Sequence, residues 1–341
     1  MIGIHDVWFV VLASMLAVYA VLDGFDLGLG TIHLLLGRNR EERARLIDSI
    51  GPVWNGNEVW LIAAGGSMVV AFPTLYAASF SGFYLALMLV LWLLLLRGLG
   101  IEFRHQIHHP MWEDAWDVVF SGASALLAVL FGVALGNVLR GVPFDADGTF
   151  RGTFAVLLNP FALLGGVLSV VTLSLHGACW AALKTDGALA ARARRFASGL
   201  WTVGAVVLLA MIAASFFVRP DFTRNFTTYP LLWVWPVMTV GSFVVNRLAL
   251  VRGDDRGAFL GSSAYVAGIL ASVAAGLYPM LLPALEGSPF HGLDIYNAAA
   301  PSGSMRTALV IYLIGLAIVA VYLVNIFRIW RGKSGGVYGE V

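Results

Sequence analysis

Nine stretches of this chain are long and apolar enough to cross a lipid bilayer as helices, and nothing else in the sequence restricts the fold as much. A crossing helix needs about 20 mostly apolar residues. Residues 7–36, 55–74, 77–97, 117–140, 157–183, 197–218, 231–250, 259–283 and 307–330 qualify, with Arg-rich or Pro/Gly-rich breaks between them. Such continuous apolar runs do not fit the residue alternation of a membrane barrel. The chain is 59% hydrophobic and 12% charged, about half the charged share of a soluble domain. The expectation is therefore an all-α polytopic membrane protein, a single integral membrane domain over residues 1–341. The longest connections, 97–116 and 284–306, leave no room for a soluble domain. Helices 1–4 (about 7–140) and helices 5–8 (about 157–283) could form two four-helix bundles, with a peripheral ninth helix at about 307–330, although no clear repeat marks the halves.

The basic residues orient the spans. With the N-terminus outside, the inside segments 37–54, 97–116, 184–196, 247–258 and the C-terminus hold 16 of the 21 Lys and Arg residues. Arg140, Arg151, Arg219, Arg224 and Arg306 remain outside. That asymmetry follows the positive-inside rule and predicts N-terminus out, C-terminus in.

The net charge of +1, with no basic domain or tail, gives no reason to expect nucleic acid as a partner. The one cysteine, Cys179, excludes an internal disulfide and a cysteine metal cage. The opening MIGIHD has no basic n-region, so the first apolar run reads as a retained helix.

Ionisable side chains within spans carry the functional information, because lipid penalises them and they turn toward the protein interior. The first span contains VLDGFDLGLG, residues 21–30. Tyr19, Asp23, Asp26, Gly30 and His33 are spaced 4, 3, 4 and 3 apart, one continuous helix face. Gly24 and Gly28 form a small-xxx-small pair that admits a close neighbour. Two readings fit: a proton-conducting or cation-binding stripe, or structural carboxylates bonded to an adjacent helix.

The second span opens with GPVWNGNEVW, residues 51–60. Pro52 suits a helix start, Asn55 suits an N-cap, and Glu58 three residues later resembles a capping box. Alternatively, Glu58 lies on the cytoplasmic side of Asp26 and Asp23 and completes a ladder of acids. Trp54 and Trp60 read as interfacial aromatics. Asp117, after a loop with Glu102, Glu113 and Asp114, reads as an acid in a helix first turn. His33 and His176 lie well inside spans and read as satisfied interior groups in preference to haem ligands. His105, His108 and His109 sit in a solvated loop with no supporting carboxylate geometry for a metal. The chemistry alone fits either a proton-coupled membrane transporter or a subunit of a respiratory complex.

VLDGFDLGLG, GRNREERARLIDSIGPVWNGNEVWLIAAGG and FPTLYAASFSGFYLALML together resemble subunit II of the cytochrome bd-type quinol oxidases. GNVLRGVPFD, LLNPFALLGGVLSV and IYNAAAPSGSM follow in the family's order, so the likeness runs along nearly the whole chain. The resemblance implies nine helices in two four-helix bundles plus one. It implies a pseudo-symmetric subunit I that carries haems b558, b595 and d and the quinol site, while subunit II binds no haem directly. The complex would oxidise quinol and reduce dioxygen to water in a bacterial or archaeal cytoplasmic membrane, taking up protons from the cytoplasm. A very small accessory subunit is common in the family, and a structural quinone is known in some members. The family's proton-path carboxylate falls at position 55, where this chain has Asn55, and an amide cannot take up and release a proton. Asp23 and Asp26 match the family's first-helix acids, and Glu102 and Asp117 fall where it has acids of a second path. Trp60 matches a tryptophan beside a proposed oxygen route. On this resemblance Trp54 and Trp60 face the partner subunit or the gas route, and Glu58 stands in for the missing acid.

Overall fold

The computed structural model describes residues 3–334. In chain order the helices are α1 (Ile4–Leu36), α2 (Arg40–Asp48), α3 (Trp54–Ala71), α4 (Pro73–Gly82), α5 (Tyr84–Phe103), α6 (Pro110–Arg140), α7 (Phe154–Leu157), α8 (Pro160–Lys184), α9 (Gly187–Val218), α10 (Arg224–Thr228), α11 (Val234–Arg252), α12 (Asp255–Leu277) and α13 (Ser302–Ile329). Proline opens α4, α6 and α8, where its missing N–H is no loss. The side chains of Asn39, Asn159 and Asp254 accept from backbone N–H groups at the starts of α2, α8 and α12.

Among the described residues, eight helices are long and apolar enough to span a membrane: α1, α5, α6, α8, α9, α11 with the turn before it, α12 and α13. The ninth expected span corresponds to α3, which has 18 residues and a first turn of Trp, Asn, Gly, Asn and Glu. That turn is too polar for lipid, and Gly56 and Asn57 within it are buried against protein. The third span also differs from its sequence-based bounds. Pro73 starts a separate ten-residue α4, and α5 runs from Tyr84 through Arg97 to Phe103.

The helices sort into the two expected bundles. α1, α3, α5 and α6 pack together, as do α8, α9, α11 and α12, and α13 lies outside against α3 and α1. The bundles join where α1 and α6 meet α8, and where α1 meets α12. At the α1–α8 crossing the backbones touch. A Cβ on Gly28 would lie 1.7 Å from the Leu173 carbonyl oxygen, and one on Gly177 would lie 2.1 Å from the Leu29 nitrogen. Only glycine permits that approach, which dispersion and close packing then stabilise. Beside it the rings of Phe25 and Trp180 stack with centroids 4.1 Å apart.

Against the all-α expectation, a short antiparallel hairpin, β1 (Met280–Pro283) and β2 (Gly292–Asp294), follows α12. It covers the end of the bundle that carries the start of α1. There the Tyr278 hydroxyl donates to Asp6, and the Trp8 indole donates to the Met305 carbonyl at 3.0 Å.

Candidate functional site: a buried charge network on α1

The stripe on α1 is buried along its whole length, from Tyr19 through Asp23, Asp26 and Gly30 to His33. Each acid has a defined partner. Arg97 Nη1 on α5 donates to Asp23 Oδ1 at 2.6 Å, with both side chains fully buried. Its Nη2 lies 3.5 Å from Glu58 Oε1 on α3. Asp23 and Glu58 thus converge on one guanidinium. The sequence reading had placed Arg97 in the connecting segment 97–116. The helix continues past it because Asp23 supplies the anion that a buried arginine requires.

The expected cap at Asn55 is not formed. Val53 occupies the N-cap position of α3, no side chain bonds the first turn, and Asn55 is exposed. Asn57 has the inward role: it is buried, and its amide donates to Asp26 Oδ2 at 2.8 Å. Residues two apart on a helix are roughly 200° apart, so Asn55 and Asn57 point to opposite sides and only Asn57 faces α1. Trp54 is half-buried and would touch a Cβ on Gly98 of α5. Trp60 is 8% exposed. It lines an apolar groove of about 750 Å³ between α1, α3 and α13, together with Trp8, Met15, Tyr312 and Leu316.

A second cluster forms at the other end of the stripe. Asp117 is fully buried, seven residues into α6 instead of in its first turn. It accepts from Arg104 Nε at 2.7 Å and meets His33 Nε2 at 2.9 Å, with Arg43 Nη1 at 3.6 Å. Asp114 joins the rim through Arg40 at 2.7 Å and Arg43 at 3.3 Å. Glu102 is exposed on α5. Ser124 of α6 lies directly over Gly30, between the two clusters. Buried polar atoms along this line have no protein hydrogen-bond partner among the described residues, Asp26 Oδ1, Asn57 Oδ1, Ser124 Oγ and His33 Nδ1 among them. Unpaired polar atoms are costly in so apolar a setting. Arg43, Asn57, Arg97, Arg104 and Ser124 escaped the sequence reading. Arg43, Arg97 and Arg104 counted there only as basic residues of the inside segments.

The loops around this rim are also paired. Arg192 holds the Glu42 carboxyl below its ordinary range through a hydrogen bond. Burial, then the Arg104 charge, push the His105 imidazole below its usual value. His176 contacts Ser262 Oγ at 2.7 Å and the Val21 carbonyl at 3.0 Å, which occupies both ring nitrogens, whereas Asp117 takes only Nε2 of His33. No group of three or more His, Cys, Asp or Glu among the described residues could hold a metal ion.

Comparison with known proteins adds an independent line. Residues 4–330 match the family described as cytochrome bd terminal oxidase subunit II. The chain is 35% identical over 358 residues to the probable cytochrome oxidase subunit 2 of Haemophilus influenzae, covering 95% of this chain and 92% of that one. It is 36% identical over 307 residues to the cytochrome bd-I ubiquinol oxidase subunit 2 of Escherichia coli K12, covering 81% of each. It is 33% identical over 307 residues to the cytochrome bd ubiquinol oxidase subunit 2 of Bacillus subtilis, covering 90% and 89%. A chain in the solved bd oxidase of Geobacillus thermodenitrificans has the same fold, with a TM-score of 0.79 over 96% of this chain and 98% of that one at 18% identity. Sequence match and fold converge, and the chain belongs to the cytochrome bd terminal oxidase subunit II family.

Proposed function

We propose that this chain works beside a haem-bearing subunit I in a quinol:dioxygen oxidoreductase of the bacterial cytoplasmic membrane, and that it is inert alone. The family match over residues 4–330 carries the reading. The relatives are all bacterial, and two are named ubiquinol oxidase subunits. The haems b558, b595 and d would reside in subunit I and supply the redox chemistry. The N-terminus would face outward and the C-terminus inward, which puts the Asp117 cluster on the cytoplasmic side. A very small accessory subunit belongs to the same proposal. The transporter reading rests only on buried acids, which the oxidase family accounts for equally.

This chain's own part is to move protons and to admit an apolar gas. Protons would enter at Asp114 and Asp117, pass His33 and Ser124, and reach Asp26. Asn57 holds one Asp26 oxygen and leaves the other able to take a proton. Glu58, one turn beyond the non-titrating Asn55, replaces the family's carboxylate, while Arg97 fixes both Glu58 and Asp23. Glu102 would collect protons at the rim. Dioxygen would partition into the groove at Trp60, and a structural quinone would lie along the same apolar wall. Trp54 would face subunit I.

The first test is purification of the tagged chain from its native membrane with a reduced-minus-oxidised absorption spectrum. A haem d band and a haem-bearing partner are expected; a colourless chain that purifies alone overturns the assignment. For the path, Glu58→Gln should lower oxygen consumption by roughly tenfold or more, and Asn55→Asp in that background should restore part of it. An unchanged rate in Glu58→Gln removes Glu58 from the path.

A further inference from the structure

A second cavity, distinct from the α1 network, lies at the end of the bundle that carries the start of α1 and the hairpin. It encloses about 570 Å³ where the ends of α9 and α12 meet α10 and the strand β1. Two arginines line it, Arg219 directly after α9 and Arg224 at the start of α10. Neither guanidinium makes a side-chain hydrogen bond or a salt bridge among the described residues, whereas Arg151 in a nearby loop is paired with Asp145 at 2.8 Å. Arg219 is half-buried, and burial pulls its pKa down, with Asp221 opposing the shift. Arg219 is half-buried with only Asp221 to offset its charge, and Arg224 is exposed, so the cavity lining carries one positive charge in excess. Two guanidinium groups without a hydrogen-bonded anion at one cavity favour an anionic occupant.

The polar floor is rigid. The Asn225 amide donates to the carbonyls of Ala275, Gly276 and Tyr278, which ties α10 to the end of α12. Tyr229 and Tyr296 add hydroxyl groups to the wall. The cavity's surroundings are as informative as its lining. Phe217 (86% exposed), Leu231 (84%) and Trp233 (49%) lie in the segments flanking it. Exposed aromatics at this depth mark the membrane interface, where headgroups lie. Planar guanidinium forks bind phosphate through paired charge-assisted hydrogen bonds.

We infer that this cavity binds the phosphate of a membrane phospholipid, held by Arg219 and Arg224, with the acyl chains running down past Phe217 and Leu231. Asp221 at the cavity edge disfavours a second negative charge, which suits the single charge of a phosphodiester better than a phosphate dianion.

The test uses the oxidase complex purified in detergent and washed free of lipid. A short-chain phosphatidylglycerol, dihexanoyl, and inorganic phosphate are titrated separately while the thermal midpoint is followed. The lipid should raise the midpoint of the unmodified complex, and phosphate at the same concentration should not. The double variant Arg219→Gln/Arg224→Gln should need at least about tenfold more lipid for the same rise. If the double variant fails to assemble, the exposed Arg224→Gln alone takes its place with the same expectation. Native mass spectrometry of the mildly solubilised complex should show one phospholipid adduct fewer in the variant. Equal lipid response in wild type and variant overturns the assignment of the arginines. An equal response to phosphate and lipid overturns the lipid and leaves a small-anion site.

Discussion

Arg97 and Asp23 meet at 2.6 Å with neither side chain exposed, so a full ion pair is enclosed between α5 and α1. Removing one partner strands the other charge away from water. Arg97→Met should therefore destabilise the complex by about 3–5 kcal/mol, seen as lost yield and a lower thermal midpoint. The double variant Arg97→Met/Asp23→Leu should recover part of that loss, because it leaves no fully buried charge unpaired and only the partly exposed Glu58 without its partner. A single variant as stable as wild type would show that the pair is not what holds α5 to α1.

His33→Phe keeps the ring's bulk against Phe120 and deletes the contact to Asp117. Arg104 still neutralises Asp117, so assembly should persist. Oxygen consumption by the purified complex should fall severalfold if protons pass this ring. A wild-type rate would route the path elsewhere.

The contact between Gly28 and Leu173 has no room for a methyl group. Gly28→Ala should cost at least about 1–3 kcal/mol, the usual range for overpacking. Gly65→Ala, with nothing within 4 Å of its Cβ, should leave stability unchanged. Expression level and thermal midpoint of the two variants, compared side by side, decide the matter.

Glu42 sets a pH dependence whose sign is fixed. Its hydrogen bond to Arg192 lowers its pKa below the ordinary 4.5. The contribution is complete above that value and fades as pH falls through the lower folded value. Glu42→Gln should therefore flatten the acid limb of stability below about pH 4.5 and leave the alkaline limb alone. Added salt should shrink the difference, since the pair is partly solvated. Identical acid limbs in both proteins would mean that Glu42 contributes nothing there.

Periodicity made the α1 stripe legible: spacings of 3 and 4 placed Tyr19, Asp23, Asp26, Gly30 and His33 on one face, and all five are buried there. Apolar length made eight of the nine expected spans legible, while their grouping came from the family resemblance. What escaped depended on helix ends and phase. Hydropathy stops a span at its first charge, so Arg97 was cut from a helix that continues to Phe103. The cap expected at Asn55 is absent and Asn57 turns inward because no local signal fixes the start of α3 to the residue. Asp117 looked like a first-turn acid because the polar residues from Pro110 onward hide the helix's true beginning. The hairpin was missed because strands of three and four residues carry no usable alternation.

Gly28 and Gly177 leave no side chain between α1 and α8, and that has a mechanical meaning. A layer of interdigitated side chains can slide by one notch or re-pack; two backbones in direct contact have no such intermediate register. Rocking one bundle against the other, as alternating-access carriers do, would have to part this seam outright. The chain is therefore built as a stationary frame, and the proposed passage of protons and gas would run between helices that hold still.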